Sequence, residues 1–264
     1  MKVAVIGGGV MGEAILGAAL DAGIFDADSV TVCEVVQARR EALQAKHGVA
    51  VTSSAQEAMA GADLVVLSVK PQDAGSVKGA LAQEALLLSV MAGVKLSTLS
   101  ALFDHPRIVR VMPNTPAAVK AGMSVWTASA EVDDDQREAT RRLLGALGRE
   151  LYVDSEAKID MATAVSGSGP GYVFLMIEAM VDAGVAIGLT RAQATEMVLQ
   201  TVAGSALYAQ QSELSPADLR ARVTSPAGTT AAGLIEMERG ALRASIIDGV
   251  KAAYERAVEL GEGA

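Results

Sequence analysis

The sequence predicts an α/β fold in which a doubly wound, mostly parallel sheet is followed by an all-α second half. Short β-rich runs alternate with helical patterns up to about Lys158, and beyond it every pattern is helical. Apolar residues make up 51% of the chain, but aromatic residues only 3%. The core must therefore be built from small aliphatic side chains, which is typical of parallel strands and close-packed helices.

The first half, residues 1–158, contains strand patterns separated by helical ones. The predicted strands cover residues 3–6, 29–33, 64–69, 86–90 and 107–111, and runs at 124–128 and 150–153 extend the same sheet. The predicted helices cover residues 14–22, 36–46, 55–60 and 134–147. Strand, helix and strand at this spacing form right-handed crossovers, so we expect one mostly parallel sheet with helices on both faces.

The second half, residues 159–264, is predicted to be a helical domain. Its predicted helices cover residues 170–187, 191–210, 229–239 and 242–260, and a further helix begins at Ser215-Pro216. The helix at 170–187 is apolar on nearly every face, and about a hundred residues are too few to cover it on all sides. We therefore predict a homodimer in which a second copy covers this helix.

Charge and composition exclude several classes of partner. The net charge of -9 and the absence of a long Lys or Arg run argue against nucleic acid. The longest apolar run, 85–94, falls well short of the ~20 residues that a membrane-spanning helix needs. The chain runs from Met1 straight into a strand, which leaves no room for a signal peptide, and its one cysteine, Cys33, forms no internal disulfide. These features predict a cytoplasmic protein, and no His or Cys cluster suggests a metal site.

The first strand runs directly into a glycine-rich motif, Gly7-Gly8-Gly9-Val10-Met11-Gly12. A helix follows the motif, and a second strand ends at Glu34, which stands 22 residues beyond Gly12. This is the full fingerprint of a Rossmann-type dinucleotide-binding domain. In it Gly7 permits the tight turn, Gly9 lets the backbone approach the pyrophosphate, and Gly12 allows close packing of the helix on the sheet. The six motif residues and Glu34 are therefore predicted to bind the cofactor.

Glu34 also bears on which dinucleotide binds. Its carboxylate can accept hydrogen bonds from both ribose hydroxyls, whereas a 2′-phosphate would place like charge beside it. We predict NADH or NADPH as the cofactor, with NADH favoured. Arg39 and Arg40 leave the alternative open, because either can turn toward a 2′-phosphate or simply form a solvated helix face.

Further motifs follow the predicted strands, where a sheet of this type places its ligand-binding loops. They are Val69-Lys70-Pro71, Met91-Ala92-Gly93 and Met112-Pro113-Asn114-Thr115-Pro116, and the helical half adds Ser166-Gly167-Ser168-Gly169-Pro170 and Ser225-Pro226-Ala227-Gly228-Thr229-Thr230. Taken in order over nearly the whole chain, this set resembles the pyrroline-5-carboxylate reductase family.

The resemblance implies a Rossmann domain followed by an α-helical dimerisation domain, and often dimers gathered into larger rings. It also implies reduction of 1-pyrroline-5-carboxylate to L-proline by hydride transfer from NAD(P)H to the C=N carbon. In the family the threonine that matches Thr230 is the proposed hydrogen-bond donor to the imine nitrogen, so Thr230 is the predicted catalytic residue.

The residues themselves give the last two groups of candidates. Exposed N–H groups around Gly228 at a helix start suit a carboxylate, and the Thr229 and Thr230 hydroxyls lie beside them, so these three residues are predicted to bind substrate. By their position at strand ends, the predicted cofactor-binding residues also include Val69, Lys70, Pro71, Ala92, Gly93, Asn114 and Thr115. A purely structural turn stays open for Asn114 and Thr115, and an exposed turn for Lys70.

The chain departs from the family pattern at two positions, which puts substrate affinity in question at the second. Gly171 stands where the family usually has alanine, and Ala221 stands where an acidic residue is expected. His47 and His105 invite a catalytic role, but one lies at a helix end and the other before a proline in a loop.

Two other functions are compatible with a dinucleotide-binding fold of this kind. A β-hydroxyacid dehydrogenase has a similar fold but relies on a lysine in its helical domain, and this chain has no lysine between Lys158 and Lys251. A non-catalytic dinucleotide sensor would have no need of a second anion site, and the intact Thr229-Thr230 turn therefore argues against it.

Overall fold

A computed structural model of the chain describes residues 1–262, and these residues form two compact units. The first unit comprises Met1–Ser168 together with the segment from Ala252 on, and the second comprises Gly169–Lys251. Residue 158, where the sequence places the domain boundary, lies inside the first unit.

The first unit is built on an eight-stranded sheet. Its strands are β1 (Val3–Ile6), β2 (Val30–Cys33), β3 (Ala50–Thr52), β4 (Leu64–Leu67), β5 (Leu86–Ser89), β6 (Ile108–Met112), β7 (Gly122–Ala128) and β8 (Gly148–Tyr152). They lie in the order β3-β2-β1-β4-β5-β6-β7-β8, and every neighbouring pair is parallel except β6 and β7. The predicted mostly parallel sheet is confirmed, and the predicted extensions at 124–128 and 150–153 are its last two strands.

Helices connect these strands. They are α1 (Val10–Asp21), α2 (Gln37–His47), α3 (Ala55–Met59), α4 (Leu96–Phe103), α5 (Asp134–Gly145) and α6 (Glu156–Ala162). Strand β3 and helix α4 had no counterpart among the predicted elements. Three residues, all at least partly exposed, make β3 too short for a strand pattern to stand out.

The sheet carries apolar clusters on both faces, as a doubly wound sheet requires. Along β4, Leu64 and Val66 belong to one cluster, whereas Val65 and Leu67 belong to the other. Because successive side chains of a strand point to opposite faces, the continuous apolar run of β4 fills both layers.

The second unit contains helices only. They are α7 (Gly169–Ala186), α8 (Arg191–Gln211), α9 (Pro216–Arg222), α10 (Thr229–Arg239) and the first part of α11 (Leu242–Glu262). The helix predicted to begin at Ser215-Pro216 is observed, with the Ser215 side chain as its N-cap, and the Thr190 side chain caps α8 in the same way. Helices α7 and α8 pack closely, since a Cβ at Gly184 would lie 2.9 Å from the Cβ of Ala194.

One helical stretch, residues 156–186, has the length and apolar composition of a membrane-spanning helix, which by itself is weak evidence for one. It contains a π-helical turn at Thr163–Gly167, between α6 and α7.

Candidate active site

The glycine-rich loop after β1 makes a turn that needs glycine at its first position. Gly7 has a φ of +101°, a conformation that L side chains rarely adopt. A Cβ there would also lie 2.8 Å from the carbonyl carbon of Ser68, the residue that follows β4. The two neighbouring strand ends therefore approach each other through bare backbone.

Gly9 and Gly12 of the motif differ in what surrounds them. A Cβ at Gly12 would lie 2.0 Å from the carbonyl oxygen of Gly7, so α1 packs against the loop at a distance that excludes any side chain. A Cβ at Gly9 would meet no atom within 4 Å among the described residues. Gly9 is the N-cap of α1, and no side chain caps the N–H groups of the first helical turn.

Glu34 lies directly after β2 and is fixed to the same loop. Its Oε2 accepts a hydrogen bond from the Gly8 amide at 3.0 Å, and its Oε1 accepts one from the Val36 amide at 2.9 Å. Each carboxylate oxygen keeps capacity for a second donor, because an ionised carboxylate has about four lone-pair sites. The side chain is thus held in place and still able to accept hydrogen bonds from a ribose.

The two nearby arginines are both occupied by groups of the protein. Arg39 donates from Nε to the Gly8 carbonyl oxygen at 2.8 Å and pairs with the carboxylate of Glu13. Arg40 donates from Nη1 to the carbonyl oxygens of Glu34 at 2.6 Å and Val35 at 3.0 Å.

A cleft of about 680 Å³ opens beside this loop, at the carboxyl ends of β1, β2 and β4. The strand order reverses between β1 and β4, and doubly wound folds bind dinucleotides at such a point. Of the predicted cofactor-binding residues, five line the cleft: Gly7, Gly9, Glu34, Val69 and Lys70. The open cradle at Gly9, the free helix start and the fixed carboxylate fit a dinucleotide with a pyrophosphate and a ribose diol.

Sequence reasoning missed one residue at the centre of this arrangement. Ser68 lines the cleft, and its Oγ donates to the Gly7 carbonyl oxygen at 2.5 Å while its amide donates to Ile6 at 2.8 Å. It fixes the glycine-rich turn from the neighbouring strand. The signal was its place as the first polar residue after the apolar run of β4.

The loops after β5 and β6 hold the remaining cofactor candidates. Gly93 has a φ of +76°, and a Cβ there would lie 3.1 Å from the Cβ of Leu260 near the end of α11. Thr115 is exposed and begins a short 3-10 helix. The remaining predicted residues lie close to those already described. Val10, Met11 and Gly12 form the first turn of α1, and Gly8 is buried behind the loop. Pro71 follows Lys70, and Ala92 precedes Gly93.

Asn114 connects two motifs that lie far apart in the sequence. Its Nδ2 donates to the Ser166 carbonyl oxygen at 3.0 Å, and its Oδ1 accepts from the Met123 amide at 2.8 Å. A Cβ at Gly167 would meet the methyl end of Met112 at 2.5 Å. The π-helical turn of the Ser166 motif is therefore packed against the end of β6.

The predicted substrate residues lie in the second unit, at the start of α10. Gly228 is the N-cap and Thr229 and Thr230 are the first two helical residues, both exposed. A turn precedes the helix, in which the Gly228 amide donates to the Ser225 carbonyl oxygen at 3.0 Å and Ala227 has a φ of +57°. The N–H groups of this first turn have no acceptor within the helix, which suits an anion.

Both histidines are bound by other groups of the first unit. The Nε2 of His47 lies 3.3 Å from the Glu13 carboxylate, and the Nε2 of buried His105 lies 2.7 Å from the Ala85 carbonyl oxygen. Gly171 and Ala221, the two departures from the family pattern, are exposed. Among residues 1–262 no group of three His, Cys, Asp or Glu side chains is arranged to hold a metal ion.

Comparison with known proteins decides the family. A pyrroline-5-carboxylate reductase from Synechocystis sp. is 42% identical to this chain over 265 residues, which cover 99% of both chains. The chain belongs to the pyrroline-5-carboxylate reductase family. Two family models agree with this, "pyrroline-5-carboxylate reductase dimerisation" over residues 156–260 and "NADP oxidoreductase coenzyme F420-dependent" over residues 2–93.

Solved structures of pyrroline-5-carboxylate reductases share the fold over the full length. The enzyme from Coxiella burnetii matches with a TM-score of 0.87 and 35% identity, covering 98% of each chain. The enzyme from Plasmodium falciparum, solved with NADP bound, matches with a TM-score of 0.89 and 29% identity, covering 99% of this chain and 98% of its own. The pyrroline-5-carboxylate reductase resemblance drawn from the motifs is therefore confirmed.

Proposed function

We propose that this chain reduces 1-pyrroline-5-carboxylate to L-proline, using a reduced nicotinamide dinucleotide, as the last step of proline biosynthesis. The observation that carries the proposal is the cleft at the point where the strand order reverses, with its open Gly9 cradle, in a chain whose family is known. Reduction of a C=N bond needs a hydride at carbon and a proton at nitrogen, so the chain must bind both reactants and supply a donor to the nitrogen.

The protein's own groups divide this work. The first-turn N–H groups of α1 bind the pyrophosphate, and Glu34 accepts hydrogen bonds from the ribose. When bound, the reduced nicotinamide supplies the hydride to the imine carbon. The Gly228 amide is already bonded to Ser225, so the first-turn N–H groups that begin at Thr229, with the Thr229 hydroxyl beside them, hold the substrate carboxylate. The Thr230 hydroxyl donates a hydrogen bond to the imine nitrogen. Orientation is expected to provide most of the rate.

Thr230→Val tests this assignment, because valine keeps the branched shape and removes only the hydroxyl. We expect kcat to fall by about 10²-fold, the low end for acid assistance, because a threonine hydroxyl is a weak acid that offers the imine nitrogen one hydrogen bond. Thr229→Val, with the same change one residue earlier, is expected to raise KM for the imine more than it lowers kcat.

Full turnover in Thr230→Val would refute the catalytic role of Thr230. Wild-type protein that binds NADH but does not oxidise it in the presence of the imine would favour the non-catalytic dinucleotide sensor.

We further propose that NADH is preferred over NADPH. Glu34 presents a carboxylate where a 2′-phosphate would lie, and Arg39 and Arg40 are both engaged by backbone carbonyls. The NADP bound to the Plasmodium falciparum relative is the counter-argument. Measuring kcat/KM with each cofactor tests the preference. In Glu34→Gln we expect the ratio of kcat/KM for NADPH to that for NADH to rise about tenfold, because the negative charge that repels a 2′-phosphate is removed. A wild-type preference for NADPH would contradict the proposal.

The active form is proposed to be a cytoplasmic homodimer, assembled in turn into a larger ring, with no nucleic-acid or membrane partner. Large apolar side chains of α7 are exposed in the single chain, and the family model over this region is that of a dimerisation domain. Sedimentation at micromolar concentration tests the dimer, and a stable monomer would contradict it.

A further inference from the structure

Three polar side chains lie side by side in the core of the sheet. Ser89 of β5 pairs in register with Arg110 of β6, and Arg110 pairs with Thr127 of β7. All three are buried, and the Arg110 side chain is only 1% exposed. A buried charge is costly unless it is paired, and well-packed apolar residues often replace a buried ion pair without loss of stability. An arginine at this place therefore needs a reason besides packing.

The partners of Arg110 are two carboxylates one turn apart on α6. Nη1 lies 3.1 Å from the Glu156 Oε1, and Nη2 lies 2.7 Å from the Asp160 Oδ1. The same Glu156 oxygen accepts a hydrogen bond from the amide of Leu96, the first residue of α4, at 2.8 Å. One planar guanidinium with its two carboxylates thus fixes β6, α4 and α6 to one another, a geometry that lysine cannot reproduce.

Each of these three elements leads directly to a loop of the candidate site. Strand β6 runs into Asn114, α4 follows the loop at Gly93, and α6 continues into the π-helical turn that carries Ser166. The hydrogen bond from Asn114 to Ser166 joins the first and the last of these loops. Single π-turns occur frequently at functional sites, where they place backbone groups that a regular helix would hide.

We infer that Arg110, held by Glu156 and Asp160, is a positioning residue for hydride transfer. It touches neither cofactor nor substrate; it sets the relative placement of the Gly93 loop, Asn114 and the Ser166 turn. The inference rests on the proposed function. A displacement of about 1 Å at reacting groups can cost about 10²-fold in rate, so loosening this anchor should lower kcat.

Asp160→Asn is the main test, because asparagine keeps an oxygen for Nη2 and removes the charge. Asp154→Asn is the matched control. Asp154 lies just before α6 and pairs at 2.6 Å with Lys158 of that helix, but this ion pair is exposed to solvent. Rates are taken per dinucleotide-binding site, so that unfolded protein does not count. We expect kcat to fall 10- to 100-fold in Asp160→Asn. The Kd for NADH should change less than about twofold, because the hydrogen bonds that fix Glu34 to the glycine-rich loop share no partner with Arg110, Glu156 or Asp160. Asp154→Asn should match wild type in both quantities.

The conservative variant Arg110→Lys should retain more of kcat per site than Arg110→Met, because it keeps the charge but loses the fork. A merely structural role predicts instead a lower melting temperature with unchanged kcat per site in Asp160→Asn, and that result would overturn the inference. Where Arg110→Met does not fold, Asp160→Asn decides alone. Wild-type protein without turnover would refute the proposed function and the inference with it, whereas normal wild-type turnover with normal Asp160→Asn turnover refutes the inference only.

Discussion

Asn114 donates a hydrogen bond from its side-chain amide to the carbonyl oxygen of Ser166, 52 residues further along the chain, at 3.0 Å. Its Oδ1 accepts a hydrogen bond from Met123 at the start of β7. One side chain therefore fixes the end of β6 to the π-helical turn and to the neighbouring strand. We expect Asn114→Asp to lose at least about tenfold in kcat per site, because a carboxylate would face the Ser166 carbonyl and disturb the turn.

Ser129→Ala is the matched control for Asn114→Asp. The Ser129 Oγ also makes two hydrogen bonds, to Pro106 at 2.6 Å and from Ile108 at 3.0 Å, but at the opposite end of the β6–β7 pair. Its loss should reduce the free energy of unfolding by about 1–2 kcal/mol and leave kcat per site unchanged. An unchanged kcat per site in Asn114→Asp, as in Ser129→Ala, would show that Asn114 matters for stability alone.

The glycine-rich loop offers a pair of substitutions that separate folding from binding. Gly9→Ala places its Cβ in open space, so the free energy of unfolding of the free protein should stay within about 0.5 kcal/mol of the wild-type value. Its affinity for NADH should fall by at least about tenfold, because the Cβ lies where the backbone must approach the pyrophosphate. Gly12→Ala places its Cβ 2.0 Å from the Gly7 carbonyl oxygen, so it should destabilise the free protein by several kcal/mol, on the order of other severe overpacking. Urea unfolding and NADH titration measure the two quantities. Unchanged NADH binding in Gly9→Ala would contradict a pyrophosphate at this cradle.

The local parts of this site could be predicted from sequence, and the long-range parts could not. The motif from Gly7 to Gly12 and Glu34 belong to one strand–helix–strand unit, so spacing alone identifies them. Arg110 meets Asp160, 50 residues away, and nothing in either segment indicates that contact. Strand β3 was missed for a related reason, because three residues that pair only with β2 carry too little pattern of their own.

Ser68 shows the intermediate case. Its place after an apolar strand put it next to a predicted binding motif, Val69-Lys70-Pro71, yet its hydrogen bond to Gly7 depends on β1 and β4 being neighbours. The crossover rules predict a parallel sheet but not the order of its strands, and the function of Ser68 follows from that order.

The exposed apolar side chains of α7 lead to a prediction on assembly. Leu175 is 67% exposed in the single chain, which is unusual for a leucine in the middle of an apolar helix. Leu175→Glu should shift the protein toward monomer in a sedimentation experiment, because a carboxylate would be buried without a partner in the dimer. Ala101→Glu, which adds the same charge at an exposed position of α4, is the control and should leave the assembly unchanged. A Leu175→Glu protein that sediments like wild type would place the contact elsewhere.

The Glu13 carboxylate gives a pH-dependent prediction for the first unit. A hydrogen bond from Lys46, followed by those from Arg39 and His47, outweighs burial and holds the pKa of Glu13 at about 2, below the ordinary 4.5. Because this pKa is lowered on folding, the ionised form stabilises the folded state, fully above about pH 4.5, and the contribution is lost as pH falls from 4.5 toward 2. We expect Glu13→Gln to cost on the order of 1–2 kcal/mol at pH 7 after allowance for solvent screening.

Urea unfolding at pH 7, 5 and 4 measures this difference. The gap in unfolding free energy between wild type and Glu13→Gln should stay constant from pH 7 to 5 and narrow at pH 4, since only the wild-type chain loses the ionised Glu13 in its unfolded state. Asp21→Asn removes the exposed pair with Lys120 and should show a much smaller gap throughout. A gap that widens on acidification would show that Glu13 is stabilised in its protonated form, contrary to its pairing with Arg39 and Lys46.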